Sequence, residues 1–319
     1  MPICFSSSAM VNGTNEEFDN FPGDAILGNS SSRSILLLGA NGFLGRELRS
    51  ELVSPPHMTA DLLFYDRKNH DLISYKENSR LKLVQFVETI SKSSPNLLVV
   101  NCMSARRPSD ITRIKEANYA LPKSIFQKIQ SPNFHKAIWL QPESYWQYAL
   151  GPTPDDDYVY WKKEFSQFLQ GQSQQAFIRT FPLVFCHLIG SEDEGSRFVP
   201  KLVKSLRTKK IVEVVNPDES LMLSAVEDVA YFLSTKIKEN SLQLNNATQI
   251  FPFQKVTIRE LTNLILDIIP ESPQVTFVKH ARNYVPRMSE QIDRLPIVGP
   301  VRLTPLRVTL QKISDKLNT

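Results

Sequence analysis

Residues 34–50 read SILLLGANGFLGRELRS. Ile35, Leu36, Leu37 and Leu38 form an unbroken apolar run, the pattern of a strand buried on both faces. Gly39, Gly42 and Gly45 follow at intervals of three. Arg46 to Leu52 then reads as a helix, with Leu44, Leu48 and Leu52 on one face. Strand, glycine-rich turn and helix, in that order, are the context a dinucleotide-binding loop requires. Gly39 lets the chain turn tightly as it leaves the strand. Gly42 puts no side chain between the backbone and a pyrophosphate, and Gly45 lets the helix pack close to the sheet. The helix N-terminus adds N–H groups and a partial positive charge. The spacing is GxxGxxG rather than GxGxxG. The whole chain has 11 glycines in 319 residues, so their concentration here is not casual. Gly39, Asn41, Gly42, Phe43, Leu44 and Gly45 are therefore the candidate cofactor contacts of this turn.

The surrounding composition bounds the class. Hydrophobic residues make up 41% and charged residues 22%, ordinary for a globular chain able to bury a large core. The formal net charge of +4 is spread thinly. Lys201, Lys204, Arg207, Lys209 and Lys210 cluster, as a polyanion patch or, more commonly, a solvated helix face, and with no basic-aromatic interleaving no nucleic-acid partner is expected. Cys4, Cys102 and Cys186 are scattered and odd in number, giving neither a disulfide framework nor a metal spacing, so no metal is expected. No apolar run approaches the roughly 20 residues that cross a bilayer, so no membrane partner is expected. Residues 1–32 are rich in Ser and Asn, and lack the basic start and apolar core of a signal peptide. They read as a disordered or draped tail, and the chain as cytoplasmic.

Further along, Asp61 to Tyr65 reads as a second strand ending at Asp66 and Arg67, about 20 residues past the glycines, where the ribose-reading residue belongs. Asp66 would accept from the ribose hydroxyls and repel a 2′-phosphate. Arg67 would do the opposite, so the pair is ambiguous and leans to NAD over NADP. Leu81 to Ile90 has helical periodicity, and Asn96 to Asn101 reads as a strand. Asp110 to Ile129 reads as a helix with an irregularity at Pro122, and Lys136 to Leu140 as the next strand. A helix beginning near Asp155 to Asp157 carries Tyr158 and Lys162, whose i, i+4 spacing puts phenol and ammonium on one face. A lysine cation beside a tyrosine favours the ionised phenol, which can then exchange a proton with a hydroxyl or carbonyl. Phe177 to Leu183 and then Val184 and Phe185 read as strand and turn, Phe198 to Leu206 as a helix, and Ser224 to Ala230, with Ser and acids at its start, as the opening of another. Thr257 and Glu260 stand in capping-box spacing before an amphipathic helix. His187 reads as a surface or packing residue, with no role assigned.

The order of these parts resembles the extended short-chain dehydrogenase/reductase (NAD-dependent epimerase/dehydratase) family, which modifies nucleotide sugars. The features that carry it run from Ile35 to the C-terminal helix. They are GANGFLG at Gly39 to Gly45, Asn118 in the fourth helix, YVYWK at Tyr158 to Lys162, Arg179, and SAVEDVA at Ser224 to Ala230. More loosely, EANYALPKS at Glu116 to Ser124, ESYW at Glu143 to Trp146 and GSRFVPKLV at Gly195 to Val203 resemble CDP-dideoxyhexose reductases of the abequose synthase kind. The resemblance implies an α/β chain: a Rossmann doubly wound parallel sheet over 33–185, then a mixed region over 186–319. The latter returns to the sheet at about 210–253 and forms a smaller C-terminal substrate-binding lobe. It implies NAD or NADP as cofactor and a nucleotide sugar as substrate, with Arg197 and Phe198 as substrate contacts. Tyr158 would give or take the proton, and Lys162 would support it and hold the nicotinamide ribose. It also implies a homodimer through the Asn118 and Tyr158 helices.

Two departures bear on activity. The Gly-Pro that the family usually has near the substrate edge is replaced by Cys186-His187-Leu188-Ile189-Gly190. The family places a Ser or Thr at the strand end before the tyrosine, whereas Pro142 falls there, and Ser144, two residues on, is the candidate substitute. Two readings follow. The first is an NAD(P)-dependent reductase, epimerase or dehydratase of a nucleotide-linked sugar. The alternative is a catalytically weakened dinucleotide-binding regulatory protein of the same fold.

Overall fold

In the computed structural model, strand β1 (Arg33–Leu38) lies between β2 (Asp61–Asp66) and β5 (Asn96–Asn101), parallel to both. The structure describes residues 33–53, 61–66, 71–74, 80–82, 96–106, 111–130, 136–150, 156–172, 178–193, 197–239, 247–269, 273–279 and 288–317. The tail over 1–32 and Arg67 lie outside the described residues. The apolar run of β1 works as read. Ile35 and Leu37 face one layer of core while Leu36 and Leu38 face the other, because side chains alternate along a strand. Leu36, Leu37 and Leu38 are fully buried, each contributing roughly 1.5–3 kcal/mol.

Eight strands form the large sheet. Strand β6 (Lys136–Ser144) adds to β5, β7 (Ile178–Phe185) to β6, and the two-residue β11 (Gln249–Ile250) to β7, all parallel. On the other side, β3 (Asp71–Ser74) and β4 (Arg80–Lys82) continue β2 as an antiparallel extension. The spatial order is β11-β7-β6-β5-β1-β2-β3-β4. The helix expected from Leu81 onward is thus corrected at its start: Leu81 and Lys82 pair with β3, and 83–90 lie outside the described residues. Pairing with β3 overrode a helical period carried by only a few apolar positions.

Helix α1 (Phe43–Val53) and the later α6 (Val226–Lys238) cover one face of this sheet. The other face is covered by α3 (Leu121–Ile129) and α4 (Asp156–Gln172). The helix expected over 110–129 is interrupted. A first helix, α2 (Ile111–Lys115), passes into a π-helical turn over Glu116–Ala120 before α3 begins. Pro122 is the cause, since it has no N–H to give the Asn118 carbonyl. The Leu121 N–H instead reaches back five residues to Glu116 O.

A second core lies beyond β7. It packs α5 (Phe198–Thr208), β9 (Ile211–Val215), β10 (Ser220–Ala225), α7 (Ile258–Leu266) and α9 (Leu306–Lys316) around Val203, Leu223, Leu261 and Leu310. Strand β10 pairs with β8 (His187–Ile189) and β12 (Gln254–Thr257), and β9 with β13 (Gln274–Val278). Among the described residues of 210–253, then, Gln249–Ile250 alone joins the large sheet. Thr257 and Glu260 form the expected capping box, with Glu260 N–H donating to Thr257 Oγ1 at 3.1 Å and Thr257 N–H to Glu260 Oε2 at 2.7 Å. Ser224, expected to open α6, lies within β10 instead and donates to Pro252 O at 3.0 Å, leaving Ala225, the last residue of the strand, at the N-cap. A further short helix, α8 (Glu290–Asp293), precedes α9. The buried Asp228 carboxylate ties the C-terminal segment to α6, accepting from Thr304 N–H at 2.7 Å and Thr304 Oγ1 at 2.6 Å.

Candidate functional site

The strands β1, β5, β6 and β7 are parallel neighbours, so their carboxyl ends share one edge. The order reverses between β1 and β5, one followed in sequence by a strand on its right and the other by strands on its left. In a doubly wound sheet ligands bind outside the carboxyl ends at such a reversal. The glycine turn leaves β1 there.

Gly39 has φ +74°, a conformation side chains resist. A Cβ on it would stand 2.6 Å from the Cys102 carbonyl carbon and 2.7 Å from Met103 N. The turn is therefore pressed against the chain leaving β5, and the Cys102 N–H donates to Leu38 O at 2.9 Å. A Cβ on Gly45 would meet Gly39 O at 2.0 Å, so α1 begins in contact with the turn. Gly42 differs: its N–H donates to Gly39 O at 2.9 Å, but Gly42 and Asn41 are exposed. Leu44 is buried in the core below and Phe43 is half-buried at the rim. The cradle is open on the side away from the protein, which fits a diphosphate held by backbone N–H groups. Asp66 ends β2 opposite Asp71.

Tyr158 and Lys162 come from α4 and are both buried, with the Lys162 ammonium 6.0 Å from the Tyr158 ring centroid. Lys162 Nζ donates to Pro142 O at 2.9 Å. That carbonyl also accepts from Gln141 Nε2 at 3.0 Å, and Gln141 Oε1 accepts from Asn101 Nδ2 at 2.9 Å and Trp139 Nε1 at 3.1 Å. A buried polar chain thus fixes the carbonyl that positions the lysine. Pro142 sits in a central strand without cost because pairing with β5 ends at Leu140, while pairing with β7 continues to Ser144. Burial pushes the Cys102 thiol up to about 12, and the Lys162 charge opposes the rise.

Ser144, the candidate substitute for the missing hydroxyl, is occupied as a cap. Its Oγ accepts from Trp146 N–H at 3.4 Å and its N–H donates to Gln147 Oε1 at 2.8 Å, starting a 3₁₀ turn over Tyr145–Tyr148. Arg197 is brought to the glycine turn: its guanidinium lies 4.6 Å from the Phe43 ring centroid, and it also pairs with Asp193 at 3.0 Å and donates to Leu188 O at 3.3 Å. Phe198 next to it is 46% exposed. Asn118, in the π-helical turn, donates from Nδ2 to Ala105 O and to Ile114 O, both at 2.8 Å, tying that turn to the chain beyond β5.

Sequence reading missed two residues here. Tyr145 and His187 are hydrogen-bonded to each other, packed with Trp146 beside Tyr158. The available signal was position: each follows the carboxyl end of one of two paired strands. Gln141 and Asn101 gave no signal, since their partners are distant in sequence.

No family model matches the chain, and no curated protein matches its sequence. Solved structures do. A GDP-mannoheptose C4 reductase from Campylobacter jejuni, with NADP bound, superposes over 92% of this chain and 100% of its own, with TM-score 0.63 and 14% identity. The UDP-glucose 4-epimerase of Thermus thermophilus, in complex with NAD, covers 89% and 99%, with TM-score 0.62 and 13% identity. RMD from Pseudomonas aeruginosa, complexed with NADPH, covers 89% and 98%, with TM-score 0.64 and 16% identity. At these identities the likeness establishes architecture: the chain is an α/β protein with the same doubly wound fold as these epimerase and reductase structures.

Proposed function

We propose that the protein is an NAD(P)-dependent oxidoreductase or epimerase acting on a nucleotide-linked sugar. The observation that carries this reading is the juxtaposition at one sheet edge of an open glycine turn and a buried Tyr158–Lys162 pair whose ammonium is anchored on Pro142 O. The fold neighbours support it, since a UDP-glucose 4-epimerase with NAD and a GDP-mannoheptose C4 reductase with NADP share the architecture. In this reading the N–H groups from Gly39 to Gly45 bind the diphosphate, with Asn41, Phe43 and Leu44 shaping the turn, and Asp66 reads the adenosine ribose, favouring NAD. Bound NAD(P) supplies a nicotinamide that accepts or returns a hydride. Tyr158 moves the proton at the sugar oxygen, Lys162 holds the nearby ribose, and Ser144 orients the 3₁₀ turn beside them. Arg197 and Phe198 contact the nucleotide sugar. The helices carrying Asn118 and Tyr158 expose Ile111 and Tyr160, 62% and 52% accessible, which supports pairing of two copies through that face.

The test is direct. The protein titrated with NAD(H) and NADP(H) should bind one of them, and Gly42→Val should weaken binding at least 100-fold, because a branched side chain occupies the phosphate's place. Failure of both dinucleotides to bind ends the reading. On whichever nucleotide sugar changes nicotinamide absorbance, Tyr158→Phe should lower kcat by roughly 10²–10⁴-fold. Unchanged turnover would remove Tyr158 from the chemistry.

A further inference from the structure

His187 opens β8 two residues after β7 ends, and Tyr145 opens the turn that follows β6. Ser144 lies opposite Phe185 in register, so the sheet delivers both side chains to one place. There Tyr145 Oη and His187 Nε2 are hydrogen-bonded. Their rings meet edge to face with centroids 4.8 Å apart, and Trp146 flanks the imidazole at 5.3 Å. Tyr145 is 2% exposed while His187 is half-buried, so His187 is the more accessible residue of the pair that follows the carboxyl ends of β6 and β7.

The surroundings decide which atom carries the proton. Burial pushes the Tyr145 phenol well above its ordinary range, with Cys186 and Tyr158 adding to the rise and Arg106 opposing it. The phenol keeps its hydrogen and is the donor. Burial, then the Arg106 and Arg197 guanidiniums, hold His187 down to about 3, so the ring is neutral near pH 7. A neutral imidazole that accepts at Nε2 carries its single proton on Nδ1. Arg106 also lies 5.9 Å from the Trp146 ring and Arg197 lies over Phe43. Both cations thus act on the imidazole, and one of them, Arg197, rests on Phe43 beside the glycine turn.

We propose that His187 is an uncharged hydrogen-bond donor to an oxygen of the nucleotide-sugar ligand, its donor nitrogen selected by the Tyr145 hydroxyl. This rests on the reading of the cleft given above. It assigns the cleft a second polar pair beside Tyr158 and Lys162, where Pro142 offers no side-chain hydroxyl. A neutral imidazole suits charge that develops on a carbonyl oxygen, because it stabilises that charge without surrendering its proton.

The experiment is a long-range proton–nitrogen correlation on ¹⁵N-histidine protein, with the His187 signals assigned by their loss in His187→Gln. In the ligand-free parent the expected result is an Nδ1–H tautomer that does not titrate between pH 5 and 8, and Tyr145→Phe should release it to the Nε2–H form. With NADP⁺ present, UDP-glucose or GDP-mannose should move the Nδ1–H signal. His187→Ala should weaken that sugar nucleotide about tenfold or more. His187→Asn, whose amide nitrogen stands near Nδ1, should stay within about threefold of the parent. Dinucleotide affinity should be unchanged throughout. An Nε2–H or imidazolium form in the parent overturns the proposal. So does a dinucleotide-bound protein in which neither sugar nucleotide moves the signal, or in which His187→Ala binds as well as the parent. Failure of the parent to bind any dinucleotide removes the wider reading instead, and is distinguishable because the tautomer is read without ligand.

Discussion

Glu143 sits one residue past the carbonyl that holds Lys162, and it is nearly inaccessible to water. Burial raises its pKa above the ordinary 4.5, and the hydrogen bonds to Ser166 and Tyr148 and the Lys162 charge only oppose that rise. Below about pH 4 both folded and unfolded chains hold this proton and the group contributes nothing. As pH climbs past 4.5 the unfolded chain ionises first, so the native state loses stability until the folded carboxyl also ionises. Glu143→Gln should therefore flatten the loss of stability above pH 4.5 and converge with the parent below it, as read by urea unfolding across pH. Parallel curves over the whole range would show that this carboxyl ionises in the fold as it does in water. At this scale the sequence was informative where a residue type is demanded locally. Gly39, Gly42, Tyr158 and Lys162 announce themselves by spacing. Glu143, Gln141 and His187 do not, because their environments are assembled by β5, β6, β7 and α4 from parts of the chain far apart in sequence.

At the scale of elements, the joint between β1 and α1 is the tightest contact. Gly45 begins the helix with Gly39 O where any side chain would have to stand. Gly45→Ala forces turn and helix apart, and should destabilise the protein by about 3 kcal/mol or more in chemical denaturation. A change under about 0.5 kcal/mol would mean the joint relaxes freely. Elements with strong local signals were legible: the apolar run of β1, the capping box of α7, and the acids that open α6. The misreadings share a cause. Leu81 and Lys82 were assigned by period, but strand pairing with β3 decided their conformation. Ser224 carried cap chemistry, but β10 claimed it. The π-helical turn was signalled by Pro122, though only the backbone shows how the missing donor was accommodated.

For the whole molecule, the proposed association through α2 and α4 has a measurable consequence. Light scattering should give twice the 36.4 kDa chain mass, and Ile111→Asp combined with Tyr160→Asp should halve it. A parent that stays at one chain mass up to high micromolar concentration excludes that pairing. The doubly wound plan itself was readable from the order of strand, glycine turn and helix. The second core was not readable in detail, because its strands β8, β9, β10, β12 and β13 are short and pair across long separations.

The outer rims of the large sheet lead to a different property. Among the described residues one outermost strand is β11, two residues long and itself bridged where Ile250 N–H donates to Pro296 O and Val298 N–H to Ile250 O, both at 3.0 Å, and the other is β4, three residues long with Arg80 and Lys82 at its ends. Unpaired ladder groups are where strange chains add on and fibres start. Strands this brief, one of them already bridged and the other ending in basic residues, give an incoming strand almost nothing to continue. Concentrating the native protein should therefore leave its amyloid-dye fluorescence flat.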